Sequence, residues 1–213
     1  MKISKFGHAC LLLEESDVRV LIDPGAYSKG FEDLKNLSAV LITHQHADHL
    51  VPANLKKLAA KNPGLKIYAD EESAAVLAAE KDLDVVAVHA GDDYRIGGVS
   101  LEVVGSHHAM IHPNIPIITN TGYLVAGTFF YPGDNFVLPE MPIEVLALPI
   151  GAPWLKISET IAYVMQVRPK VAIPVHDAVL SMLEMNVGLV KPVAATADIE
   201  IRVVPNGSTT EIG

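Results

Sequence analysis

The sequence predicts an α/β fold, and three observations predict it. Short apolar runs alternate with segments of helical composition, the order that builds sheets covered by helices. Half of the 213 residues are apolar, enough for a sizeable core in one domain or two tightly fused halves. Histidines and aspartates recur where apolar strands give way to loops, which is how a sheet-based protein assembles one site from distant segments.

Composition removes several function classes. The formal net charge is −9 with histidines neutral, and no run of lysines or arginines stands out. A non-specific nucleic-acid binder carries a basic face, so that class is disfavoured, although bound cations would make a site locally positive. Residues 1–6 read as a strand and not as a signal-peptide hydrophobic region. No uninterrupted apolar segment approaches the roughly 20 residues a membrane helix needs. Cys10 is the single cysteine and sits in an apolar run, so it reads as a small buried hydrophobe, and metal ligation falls to His and Asp. The expectation is a cytoplasmic protein with a small-molecule substrate and no membrane contact; homo-oligomerisation is left open.

Residues 2–6, 9–14 and 18–23 read as three short strands joined by turns. His8 stands in the first turn as a pocket candidate, and Asp23, before Pro24, either orients a ligand or simply makes the turn. Residues 26–37 form a polar connection from which Tyr27 and Phe31 can reach a pocket mouth. The buried strand 38–43 delivers His44, His46, Asp48 and His49, three imidazoles and a carboxylate within six residues. Such groups make poor core but good ligands for first-row metals.

Residues 52–61 have helical composition, with Pro52 suited to a first turn and Asn62-Pro63-Gly64 as the stop. A strand at 66–69, an alanine-rich helix at 71–81, a strand at 85–88 and a hairpin at 94–104 follow. His107 and His108 come directly after that hairpin; His112 lies in a Pro-containing loop. Residues 115–131 give two further strands, with Asn120 at their start, and end at Asp134. A buried strand at 144–148 leads into the stiff loop 149–154, which carries Trp154. A helix over 158–167, a strand at 170–175 ending in His176, a helix from 178 to about 186 and a last strand near 199–204 complete the chain. No low-complexity segment or short-period repeat is present.

The series His44-Gln45-His46-Ala47-Asp48-His49, His107, Asp134 and His176 resembles the motif set of the metallo-β-lactamase superfamily over nearly the whole chain. Phe6-Gly7-His8-Ala9, Ile22-Asp23-Pro24, Leu148-Pro149-Ile150-Gly151 and Ile173-Pro174-Val175-His176 resemble a narrower branch, the small metal-dependent hydrolases similar to ascorbate-phosphate lactonases. The resemblance implies a four-layer αββα sandwich with mixed sheets, a single domain over 1–213 made of similar halves, about 1–105 and 106–213. It implies one metal held by His44, His46 and His107, a second held by Asp48, His49 and His176, and Asp134 bridging. Register favours His107 over its neighbour His108, which is left on the substrate side with Asn120 and His8. The Gly133-Asp134-Asn135 sequence departs from the family pattern, where a threonine often follows the aspartate.

Imidazole and carboxylate ligands without thiolate suit two divalent ions, zinc first, with manganese and iron as alternatives. Histidine at position 46, where oxygen-reducing di-iron relatives tend to carry glutamate, favours hydrolysis. Two such cations sharing a water lower its pKa from about 15.7 to near 7, and Asp48 would orient the resulting hydroxide for attack on an ester, lactone or phosphoester. A phosphodiesterase or nuclease on the same site and a non-catalytic metal-binding module are the competing readings.

Overall fold

The computed structural model describes residues 1–212. In chain order the first part contains β1 (Lys2–Lys5), β2 (Leu11–Glu15), β3 (Val18–Ile22), β4 (Ala39–Ile42), α1 (Pro52–Lys61), β5 (Lys66–Asp70), α2 (Glu71–Leu77) and β6 (Asp84–Val88). The second contains β7 (Asp93–Ile96), β8 (Val99–Val104), β9 (Gly122–Val125), β10 (Phe129–Tyr131), β11 (Val145–Pro149), α3 (Ile157–Val167), β12 (Val171–Val175), α4 (Leu183–Ala195) and β13 (Glu200–Ile201). A last strand, β14 (Thr209–Glu211), returns to the first sheet and pairs antiparallel with β1.

The two seven-stranded sheets run β14-β1-β2-β3-β4-β5-β6 and β7-β8-β9-β10-β11-β12-β13. Each begins with four antiparallel strands and continues parallel, the change falling at β3–β4 in one and at β10–β11 in the other. Successive side chains of a strand face opposite ways. In β4, Ala39 and Leu41 therefore enter the layer between the sheets, beside Leu101, Phe129, Val145 and Ile173. Val40 and Ile42 face the other way, packing with Leu55, Leu58 and Leu77 of the α1–α2 layer. Leu146, Leu148 and Ala172 likewise pack with Tyr163, Val164 and Val190 of α3 and α4. The expected αββα sandwich with mixed sheets is the observed fold, and strands covered on both faces explain the continuous apolar runs.

Several boundaries differ from expectation. The hairpin β7–β8 belongs to the second sheet and β14 to the first, so the sheets divide between β6 and β7 with β14 crossing back. The second helix ends at Leu77, where Ala78 N–H turns back to Ala75 O and Glu80 N–H to Leu77 O. The last helix starts at Leu183, not 178, because Ala178 N–H donates to His8 Nδ1 and residues 177–180 form a turn. It continues to Ala195 through Gly188 and Pro192, residues that sequence reading treats as breakers.

Strands β1, β3 and β4 run the same way in the first sheet, as do β8, β10, β11 and β12 in the second. Their carboxyl ends meet at one edge of the sandwich, where Thr121 N–H donates to Thr43 O (2.9 Å) and His176 N–H to His8 O (2.9 Å).

Candidate metal centre

Every histidine and aspartate of the centre leaves the carboxyl end of one of these strands. Asp23 follows β3, residues 44–49 follow β4, His108 follows β8, Asp134 follows β10 and His176 follows β12. Three site residues, His8 (φ 35°), Asp23 (φ 46°) and His176 (φ 60°), take left-handed backbone conformations uncommon outside glycine. Two glycines permit the close approaches the turns need. A Cβ on Gly25 would lie 1.9 Å from the Asp48 carbonyl oxygen, and one on Gly133 (φ 66°) would lie 2.3 Å from Asn120 Oδ1.

Three groups of side chains bring one ligand atom each within 4.8 Å of one another: His44, His46 and His108 on one side, His8, Asp48, His49 and His176 on the other, and His44, His49 and Asp134 across the two. Asp134 lies between them. Its Oδ2 is 3.4 Å from His108 Nε2 and 3.1 Å from His176 Nε2, while Oδ1 is 3.3 Å from His49 Nε2. On the first side His44 Nε2 faces His46 Nδ1 at 3.1 Å. On the second, Asp48 Oδ2 is 3.4 Å from His176 Nε2 and 3.7 Å from His49 Nε2.

The far nitrogens of the rings fix their tautomers. His176 Nδ1 lies 2.6 Å from Gly151 O and His108 Nδ1 2.6 Å from Ala109 O. A carbonyl only accepts, so each Nδ1 carries the hydrogen and each neutral ring presents a bare Nε2 lone pair. His49 Nδ1 donates to Asp23 Oδ2 (2.7 Å), and His44 Nδ1 lies 3.0 Å from Thr43 Oγ1, whose own hydrogen goes to Asp23 Oδ2 (2.7 Å). His8 is arranged the opposite way. Its Nδ1 accepts from Ala178 N–H (3.1 Å), so Nε2 carries the hydrogen and donates to Asp48 Oδ2 (3.1 Å). That tautomer makes His8 a support for Asp48 and not a ligand.

The consequence is a set of buried atoms without partners: His49 Nε2, His108 Nε2, Asp134 Oδ1 and His176 Nε2. Leaving buried polar atoms unpaired costs about 1–3 kcal/mol each, and here they converge on one place. Imidazole lone pairs and a carboxylate oxygen, with outer partners holding each ring, are a donor set that fits first-row divalent cations.

The electrostatics of the bare site point the same way. Burial opposes charge on His176, but the nearby carboxylates of Asp134 and Asp48 outweigh it and raise its pKa to about 10. Burial likewise opposes charge on His49, yet Asp134 and Asp23 raise its pKa. Burial pushes the Asp134 carboxyl up, and His49 with its neighbouring rings overcomes this and holds it well below the usual range. His44, fully buried among other imidazoles, is pushed well below 6.5.

Two expectations are corrected. His107 is exposed, its Nδ1 beside Ser106 Oγ (2.7 Å), and the ring that joins the cluster is that of His108. The chain leaves β8 through Gly105 (φ 78°), and this bend changes which of the two adjacent residues faces inward. Asn120 is fully buried and spends its amide on backbone, Oδ1 accepting from Asp134 N–H (2.9 Å) and Nδ2 donating to Pro132 O (3.0 Å). It is a strut for the Asp134 turn, and its complete burial takes it off the substrate side. His112 is exposed, with Nδ1 accepting from Asn114 N–H. Sequence reading missed Lys5, 1 % exposed, which pairs with Asp177 beside His176, and the bond from Trp154 Nε1–H to Asp134 Oδ2 (2.7 Å). Neither contact carries a local motif.

Residues 2–176 match the Beta-lactamase superfamily domain. The chain belongs to this superfamily, the metallo-β-lactamases. Protein Rv0786c of Mycobacterium tuberculosis is 42% identical over 186 residues, 85% of this chain and 86% of that protein. The UPF0173 metal-dependent hydrolase PYRAB05000 of Pyrococcus abyssi is 29% identical over 195 residues, 83% and 84% of the two chains. The fold is shared with the metallo-beta-lactamase fold protein YhfI of Bacillus subtilis, with a TM-score of 0.74 at 16% identity over 99% of both chains.

Proposed function

We propose that this protein is a binuclear metal-dependent hydrolase of a small-molecule ester, lactone or phosphoester. One observation carries the reading: four buried, unpartnered ligand atoms converge between two groups of histidines, with Asp134 reaching both. His44, His46 and His108 would hold one cation and Asp48, His49 and His176 the other, with Asp134 shared. Zinc is the first choice for this thiolate-free set, with manganese and iron as alternatives. When bound, such cations polarise an electrophile and lower the pKa of water toward neutrality.

The chain's own residues supply orientation and proton handling. Asp48 is the carboxylate of the centre most open to solvent, its side chain 21 % exposed against 5 % for Asp134. It can orient a water at the mouth and take up its proton, while His8 Nε2–H holds the Oδ2 oxygen in place. Asp23 and the carbonyls of Gly151 and Ala109 keep their rings from turning as substrate enters. Among the described residues no helix is long and apolar enough to cross a membrane; the cytoplasm is the proposed setting.

The test is elemental analysis of the purified protein together with hydrolysis of a lactone, a p-nitrophenyl ester, a thioester and a phosphodiester, each with and without chelator. Two metals per chain and chelator-sensitive turnover of one class are expected. A protein that binds no divalent metal after reconstitution would overturn the reading.

A further inference from the structure

We infer that the substrate is an uncharged ester or lactone bearing an apolar acyl or aryl group, and not a phosphorylated one; this rests on the hydrolase reading above. Residues 109–117 form a loop tied at its neck to two residues of the centre. His108 N–H donates to Ile118 O (2.9 Å) and Ala109 N–H to Asp134 O (2.8 Å). Three aliphatic side chains of this loop, Met110, Ile115 and Ile117, are 56, 47 and 49 % exposed. Residues 105–119 contain no lysine, arginine, aspartate or glutamate.

Aromatic groups stand at the centre itself. Tyr27, 55 % exposed, sets its ring 5.3 Å from that of His8. The half-buried Trp154 ring lies 6.1 Å from His108, backed by Phe136 at 5.0 Å. Beyond His176, the exposed Val179 and Met182 continue the same character. Exposed apolar side chains on the loops that follow His108 and His176, with Tyr27 and Trp154 beside His8 and His108, favour an apolar ligand.

No fixed cation stands ready for a phosphoanion among the side chains bonded to the centre. Recognition of phosphate away from metals uses charge-assisted donors from arginine, lysine or backbone nests. Among the described residues, no lysine or arginine hydrogen-bonds to any member of the centre. Lys5 is committed to Asp177 and to Pro174 O (2.9 Å). The segments 105–119, 131–143, 149–155 and 177–190 hold no lysine or arginine at all. Lys29, two residues after Tyr27, and Lys156, directly after the 149–155 segment, are exposed.

The experiment uses metal-loaded full-length protein and straight-chain alkyl hydroxamates from two to eight carbons. The head group seats on the metals and the tail reads the rim. Binding is followed through fluorescence of Trp154, the only tryptophan, and by calorimetry. Affinity should rise about threefold per methylene over the first several carbons. The double variant Met110→Ser/Ile117→Ser, in exposed loop positions outside the metal ligands, should lose at least half of that gain while binding acetohydroxamate as before. kcat/KM for p-nitrophenyl esters should rise with acyl length in parallel. Equal affinity across the series would overturn the inference. So would tighter binding of a phosphate-tailed hydroxamate that Lys29→Ala/Lys156→Ala abolishes. Either result in metal-loaded protein leaves the hydrolase reading standing; failure to bind metal or acetohydroxamate defeats that reading first.

Discussion

Asp23 Oδ2 lies 2.7 Å from His49 Nδ1, with both side chains buried, and the same carboxylate accepts Thr43 N–H (2.8 Å) and Thr43 Oγ1–H (2.7 Å). One residue at the end of β3 thereby fixes the ring of His49 and, through Thr43, that of His44. Asp23 precedes Pro24 in what reads locally as a turn; the structure gives it this second task.

Asp23→Asn keeps the shape of the side chain but puts an N–H where the network needs an acceptor. Metal affinity should fall about 10- to 100-fold, the usual consequence of removing the outer partner of a ligating histidine. Competition with a chromophoric chelator measures it. An unchanged affinity would show that His49 does not depend on Asp23.

The two adjacent histidines separate cleanly. His108→Ala should reduce the metal content from two ions per chain toward one, because the group with His44 and His46 loses its third member. His107→Ala, at an exposed position, should leave content and activity unchanged. Elemental analysis of the two variants side by side decides between them, and the reverse result would restore the assignment that sequence register favours.

Asp48→Ala should abolish turnover in metal-loaded protein, whereas His8→Ala, which removes only the support of Asp48 Oδ2, should reduce it partially. Steady-state kinetics at matched metal content provide the comparison. Near-wild-type activity of Asp48→Ala would remove Asp48 from the mechanism.

Metal binding should release protons. With its pKa raised to about 10, His176 carries a proton at neutral pH in the metal-free protein, and a cation has to displace it. Affinity should therefore fall up to tenfold for each pH unit below about 10 per proton displaced. Calorimetry in buffers of different ionisation heat counts those protons. The linked effect on stability follows from the same shift. The imidazolium of His176 stabilises the metal-free fold fully below its unfolded pKa near 6.5, and this contribution is lost as pH rises through about 10. The denaturation midpoint of metal-free protein should drop over that window, and a flat profile would contradict the assignment.

The sequence by itself determined the α/β class, the positions of β4, β11 and β12, and the residues 44–49, Asp134 and His176 as one chemistry-bearing set. These were legible because burial on both sheet faces writes continuous apolar runs, and because imidazoles and carboxylates at strand ends have few other reasons to be there. The tertiary structure alone decided the choice of His108 over His107, the strut role of Asn120, the tautomer of His8 and the return of β14 to β1. The direction of a side chain beyond a strand end is set by the backbone angles of a few turn residues, such as Gly105 (φ 78°) and His176 (φ 60°), and by partners distant in sequence. Residue type and spacing carry no record of those angles, whereas they do carry the periodicity that builds the sheets.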